Sequence, residues 1–207
     1  MTLFLTKIND DITNIEHRLF QSYRQLKKPE RSKYRFKKDR VMHQIGDMLV
    51  QYCIEQCYGL NINQWKYHVT KNGKIEIQSR KHINVNLSYS FPYIVCAIDQ
   101  HPVGVDIEEL KDLNYLNLAT QFSVNEFNQV RQLKDFYTIW TKKESYTKLI
   151  GEGLLKGLDV YDVTQPLYYQ DDKVFFQVYI CQDRMIHLCS NHSRKHEIVK
   201  KSLDCLF

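Results

Sequence analysis

No run of apolar residues in this 207-residue chain approaches the roughly 20 needed to cross a bilayer, so a membrane-embedded role is not expected. No segment can be aligned with another, and the sequence alone therefore does not establish a duplication. The six cysteines, at positions 53, 57, 96, 181, 189 and 205, include no Cys-x-x-Cys pair, and no Cys/His grouping has zinc spacing. Cys53 and Cys57 fall one turn apart in a predicted helix, a spacing that does not suit a disulfide. Reduced thiols and a cytoplasmic location are the expectation. The opening residues Met1–Lys7 turn acidic by Asp10 and Asp11, too soon for a secretory leader.

What is present is ordinary globular material. Apolar residues make up 43% of the chain and tyrosine occurs 14 times, which argues against disorder. The net charge of +5 favours an anionic partner. Nine of the seventeen positions from Arg24 to Arg40 are Lys or Arg, against only Glu30 and Asp39. Such a run is either a solvated helix face or an anion site.

Periodicity predicts a short amphipathic helix over residues 10–24 and a longer one from about Lys33 to Tyr58, burying Val41, Ile45, Met48, Leu49 and Tyr52 and closed by Gly59. Strands are predicted at Trp65–Val69, Ile75–Ile77, Val85–Tyr89, Tyr93–Ile98 and Val103–Glu108. Asn72-Gly73 signals a two-residue hairpin between the first two. Further on, Leu113, Leu116 and Ala119 suggest a short helix. Ser123 and Glu126 form a capping-box pattern opening a helix with Phe127, Val130 and Leu133. The helix around Trp140 stops near Gly151, and strands are expected at Val160–Val163, Val174–Ile180 and Met185–Ser190, with a turn at residues 181–184. Helices followed by mostly antiparallel strands, in each half, indicate an α+β fold.

Two stretches carry chemistry. In Trp140-Thr141-Lys142-Lys143-Glu144-Ser145-Tyr146-Thr147-Lys148, residues 140, 144 and 148 share one helix face. Glu144 and Lys148 alone would be an ordinary surface pair. In Gly104-Val105-Asp106-Ile107-Glu108 the acids alternate with apolar residues, so on a strand both acids point one way. Asp106, Glu108 and Glu144 on two rigid elements can converge on a hard cation such as magnesium.

Together the two stretches resemble the paired signature of the 4′-phosphopantetheinyl transferases, G-[VI]-D-x-E followed by W-x-x-K-E-[AS]-x-x-K, with order and spacing matched at every defining position. Gly151-Glu152-Gly153-Leu154, Phe122-Ser123 with Glu126, Asn72-Gly73-Lys74 and Asn86-Leu87-Ser88-Tyr89-Ser90 also resemble segments of the larger, Sfp-like class, so the similarity covers residues 27–190. The resemblance implies two similar α+β halves, residues 1–103 and 104–207, with coenzyme A in the cleft between them. It implies transfer of the phosphopantetheine arm from coenzyme A to a serine of an apo acyl or peptidyl carrier protein, releasing adenosine 3′,5′-bisphosphate. Mg2+, or Mn2+ in its place, would be held by Asp106, Glu108 and Glu144. Glu144 would also act as, or orient, the base, and Lys148 would stabilise the leaving phosphate. Lys27, Lys28, Arg31, Lys74, Ser88, Tyr89 and, more weakly, Lys143 would bind coenzyme A. Trp140, by contrast, reads as a packing aromatic. The protein is expected to act as a monomer, without nucleic acid or membrane.

The chain departs from the family at three places. Tyr89 stands where the family has histidine, Asn72 where it has tyrosine and Ile75 where it has proline. Two other functions compete with transfer. A basic helix with nearby tyrosines also suits a nucleic-acid-binding module with structural carboxylates. Phosphodiester hydrolysis would retain the metal site, but no second metal cluster is present in the sequence to support it.

Overall fold

A computed structural model describes residues 2–22, 34–154, 156–195 and 197–207. The elements are β1 (Thr2–Lys7), α1 (Ile12–Ser22), α2 (Lys37–Tyr58), β2 (Trp65–Val69), β3 (Ile75–Ser79), β4 (Asn84–Ser90), β5 (Tyr93–Asp99) and β6 (Val103–Glu109). They continue with α3 (Tyr115–Ala119), α4 (Val124–Phe127), α5 (Leu133–Ile150), β7 (Tyr168–Tyr169), β8 (Asp172–Lys173), β9 (Phe175–Cys181), β10 (Arg184–Ser190) and β11 (Glu197–Lys201). Two sheets carry the architecture, in the orders β11-β1-β5-β4 and β6-β10-β9. Among the described residues only the β1–β11 pair is parallel. This is the mostly antiparallel α+β arrangement that the patterning implied.

Alternation along β1 and β5 explains the layering. Phe4, Ile94, Cys96 and Ile98 join the core under α2, with Val41, Ile45, Leu49 and Cys53. Leu3, Leu5, Val95 and Ala97 point the other way, into a second core with Val105, Ile107, Ile186 and Leu188 of the other sheet. The four-stranded sheet is therefore covered on both faces, and every residue of β5 is buried. A strand covered on both faces reads as a continuous apolar run, as Tyr93–Ile98 does. On the far side of the second sheet lies α5, packed on β6 and β10.

The two sheets meet along β4 and β6 without backbone pairing. The Val105 N–H donates to Asn86 Oδ1 at 3.0 Å, and the Ile107 N–H donates to Ser88 Oγ at 3.3 Å. Side chains of β4 thus satisfy the edge of β6, which would otherwise be buried without partners.

Several expectations are corrected. Helix α2 begins at Lys37 rather than near Lys33, after an extended Phe36; its predicted end holds, with Gly59 at φ 65° and its N–H bonded to the Glu55 carbonyl. The β2–β3 connection is not a two-residue turn. The Thr70 N–H donates to the Lys74 carbonyl and the Lys74 N–H to Thr70 Oγ1, leaving the three-residue loop Lys71-Asn72-Gly73 with Gly73 at φ 83°. The capping box at Ser123 forms, but its helix stops at Phe127, and α5 starts afresh at Leu133. Residues 160–163 form a bend and the start of a turn rather than a strand, because part of their backbone is used by side chains of other elements: Lys143 bonds the Tyr161 carbonyl and the Val163 N–H donates to Glu126. Strands β1 and β11 were not foreseen.

Candidate active site

Strand β6 and helix α5 lie against each other closely enough to require glycine at position 104. A Cβ there would stand 1.9 Å from the Ser145 carbonyl oxygen and 2.6 Å from the Leu149 nitrogen. With Val103, Val105 and Ile107 buried in the inter-sheet core, the alternate positions Gly104, Asp106 and Glu108 face α5. Asp106 is 3% exposed. Its Oδ1 accepts from Ser88 Oγ at 2.9 Å and from Lys148 Nζ at 2.6 Å, while its Oδ2 is buried with no hydrogen-bond partner. Lys148 also donates to Ser88 Oγ at 2.9 Å. Its ion pair therefore runs to β6, across the two sequence motifs, and not along the helix to Glu144.

Glu108 accepts from the indole N–H of Trp140 at 3.3 Å. Burial, and after it the charge of Asp106, push the Glu108 carboxyl up to about 7. Glu144 is raised for the same leading reason, against the pull of Lys148. The three acids are thus mutual electrostatic neighbours in a poorly solvated place. Among the described residues, however, no three His, Cys, Asp or Glu side chains stand at metal-ligating spacing.

Glu144 and Lys148 line one wall of a cavity of about 850 Å3. Thr147, Gly151 and Gly153 line the cavity as well, and Lys74, Asn72, Asn86, Leu87, Tyr89, His43 and Tyr34 complete the lining from other elements. Tyr89 packs on α2. Its ring is tilted against His43 at 4.4 Å, and its hydroxyl lies where a Cβ on Gly46 would be, 2.3 Å away. His43 in turn stacks on Tyr34 at 4.2 Å. The lining therefore presents an aromatic column in which position 43, not position 89, supplies the imidazole.

Three expected cofactor contacts are placed differently. Lys143 is 1% exposed, forms a 2.7 Å ion pair with the buried Glu126 and bonds the Tyr161 carbonyl, so it holds the 160–163 segment to α5 and does not line the cavity. Ser88 is 4% exposed and turned onto Asp106 and Lys148. Lys74 does line the cavity, but its ammonium donates to the Leu149 carbonyl at 2.7 Å. Lys27, Lys28 and Arg31 lie outside the described residues. Trp140 packs on Phe136, as read from the sequence, but its donation to Glu108 was missed. Asn86 and His43 were also passed over. Asn86 sat in a quoted motif, whereas nothing in the spacing of α2 singles out His43.

The family model of the 4′-phosphopantetheinyl transferase superfamily matches residues 102–199, the span from β6 through β11 that holds Asp106, Glu108, Glu144 and Lys148. Among characterised proteins, the chain is 32% identical to a 4′-phosphopantetheinyl transferase of Bacillus subtilis, over 72% of this chain and 69% of that protein. It is 27% identical to the transferase Sfp of Bacillus subtilis strain 168, over 86% and 81%. It is 30% identical to the transferase psf-1 of Bacillus pumilus, over 65% and 60%. The chain belongs to the 4′-phosphopantetheinyl transferase superfamily, a family of enzymes.

Proposed function

We propose that the protein transfers the 4′-phosphopantetheine arm of coenzyme A to a serine hydroxyl of an apo acyl or peptidyl carrier protein. The observation that carries this reading is the joining of the two motifs: Lys148 bonded to Asp106 at 2.6 Å, with Glu108 and Glu144 beside them, at the edge of the large cavity. In the reaction the serine Oγ bonds to the β-phosphorus of coenzyme A. The bond from that phosphorus to the bridging oxygen breaks, and adenosine 3′,5′-bisphosphate leaves. The hydroxyl proton is taken by Glu144 or by a group that Glu144 orients, a role suited to a carboxylate that burial raises above its ordinary range. Lys148 stabilises or protonates the departing phosphate.

Asp106, Glu108 and Glu144 would hold Mg2+ or Mn2+. The donor set fits: hard oxygens on two rigid elements, one of them, Asp106 Oδ2, buried and unpartnered. A bound divalent ion supplies neutralisation of the diphosphate charge. Lys27, Lys28 and Arg31 are the proposed holders of the 3′-phosphate, and the Tyr89 hydroxyl a proposed donor to phosphate. We assign the cofactor to the cleft between residues 1–103 and 104–207. The nucleic-acid reading is weaker, since Lys37 and Arg40 at the end of the basic run are paired with Glu16.

The test is carrier modification read by intact mass, with magnesium and with excess EDTA. Transfer is expected only with the divalent ion. Asp106→Asn, which keeps an oxygen for Ser88 and Lys148, is expected to abolish transfer while holding the ligand-free fold, whereas Asp106→Ala, which strands Lys148 and Ser88, should also lower the melt. Full transfer in EDTA would overturn the metal assignment, and full transfer by Asp106→Asn would make Asp106 structural.

A further inference from the structure

The β2–β3 hairpin belongs to neither main sheet. A two-stranded ribbon is marginally stable alone, so contacts with other elements must set its position. One face of the ribbon, Trp65, Tyr67, Ile75 and Ile77, packs against the α2 core along its length. Its tip reaches the carboxyl end of α5. There Lys74 Nζ donates to the Leu149 carbonyl at 2.7 Å, and Asn72 Nδ2 donates to the Gly151 carbonyl at 3.1 Å. The last carbonyls of a helix have no partners within it and carry partial negative charge, so a lysine and an amide are suitable donors. The approach is tight. Gly151 has φ 79°, and a Cβ there would meet Lys74 Cδ at 2.9 Å.

We propose that Asn72 and Lys74 form a latch that fixes the carboxyl end of α5, and with it the reacting pair Glu144 and Lys148, against the β2–β3 hairpin. Lys148 lies one residue before the latched carbonyl, so a loosened end moves the cation that must meet the leaving phosphate. Lys74 is then a positioning residue and not a cofactor ligand. Asn72, where the chain departs from its family's tyrosine, becomes the second half of the same device. The burial that holds the Lys74 ammonium below its ordinary range agrees with an ammonium committed to a protein carbonyl; Glu76 is the charged group that opposes this effect.

The kinetic side of this proposal rests on the transfer reading, so the deciding measurement uses no substrate. The Gly151 and Glu152 amides, both bonded to the Thr147 carbonyl, report on the end of α5. In Lys74→Met and in Asn72→Ala their hydrogen exchange should rise about tenfold or more while the β5 amides stay protected. Lys74→Arg, which keeps a donor, should restore protection. In transfer assays both losses should lower kcat roughly tenfold, with KM for coenzyme A changed less than about twofold, and the double variant should cost less than the product of the two. Unchanged exchange in both single variants overturns the latch. A raised KM at constant kcat also overturns it, since Lys74 would then be a cofactor contact. If the wild type modifies no carrier, the transfer reading fails by itself and the exchange result still decides the latch.

Discussion

Glu108→Gln should make the ligand-free protein more stable at pH 8. The glutamate is held where its charge is costly, behind Trp140 and beside Asp106, and its carboxyl rises from the ordinary 4.5 to about 7. At about 1.4 kcal/mol for each pH unit, ionising Glu108 costs the fold roughly 3 kcal/mol at pH 8. Glutamine keeps an oxygen for the Trp140 indole but trades a charged acceptor for a neutral one, which returns about 1 kcal/mol. The net gain is on the order of 2 kcal/mol, or roughly 4–8 °C in Tm for a chain of this size. The folded protein binds the extra proton between about pH 4.5 and 7, so wild-type stability falls as pH rises through that window. Below it both forms are neutral at this position, and the advantage of glutamine should vanish. The assay is thermal unfolding of both proteins in EDTA at pH 4 and pH 8. A lower Tm for Glu108→Gln at pH 8, or the same gap at both pH values, would refute the electrostatic account of this site.

Gly104→Ala should destabilise by about 3 kcal/mol or more, because the new methyl meets α5 backbone that cannot move aside; a melt within 2 °C of wild type, about 1 kcal/mol or less, would show that β6 and α5 are not so tightly opposed. Lys143→Met should cost about 3–5 kcal/mol by stranding Glu126, with KM for coenzyme A in the surviving fraction unchanged. A raised KM with normal stability would restore the cofactor role. Replacing Lys27, Lys28 and Arg31 should raise KM for coenzyme A well above that for 3′-dephospho-coenzyme A; equal effects would point instead to recruitment of an acidic carrier, seen as salt sensitivity.

The elements that strict periodicity marks were legible in the sequence. Strand β5 and helix α2 announce themselves because burial leaves no freedom in their patterns, and the alternation in β6 correctly sent Asp106 and Glu108 to one face. What sequence could not give was partner choice. Spacing put Lys148 beside Glu144, yet Lys148 reaches Asp106, because a long flexible side chain follows a buried carboxylate rather than its helical neighbour. Lys143 sits in a signature and looked functional, but its direction depends on Glu126, a residue of a different helix. Strands β1 and β11 were missed since β1 is made by pairing with β11 and β5, and β11 by pairing with β1; the polar Glu197, Lys200 and Lys201 carry no strand signal of their own. The segment at 160–163 looked like a strand from its valines, but the Tyr161 carbonyl and the Val163 N–H are taken by the side chains of Lys143 and Glu126.

The most direct test of the central claim is the stoichiometry of the reaction. The purified protein, coenzyme A, magnesium and a panel of apo carrier proteins would be incubated together, with adenosine 3′,5′-bisphosphate and the carrier serine adduct quantified in the same sample. The account predicts one nucleotide released for each carrier modified, both lost in Glu144→Gln. Nucleotide release without any carrier adduct, or an adduct formed equally well by Glu144→Gln, would contradict it.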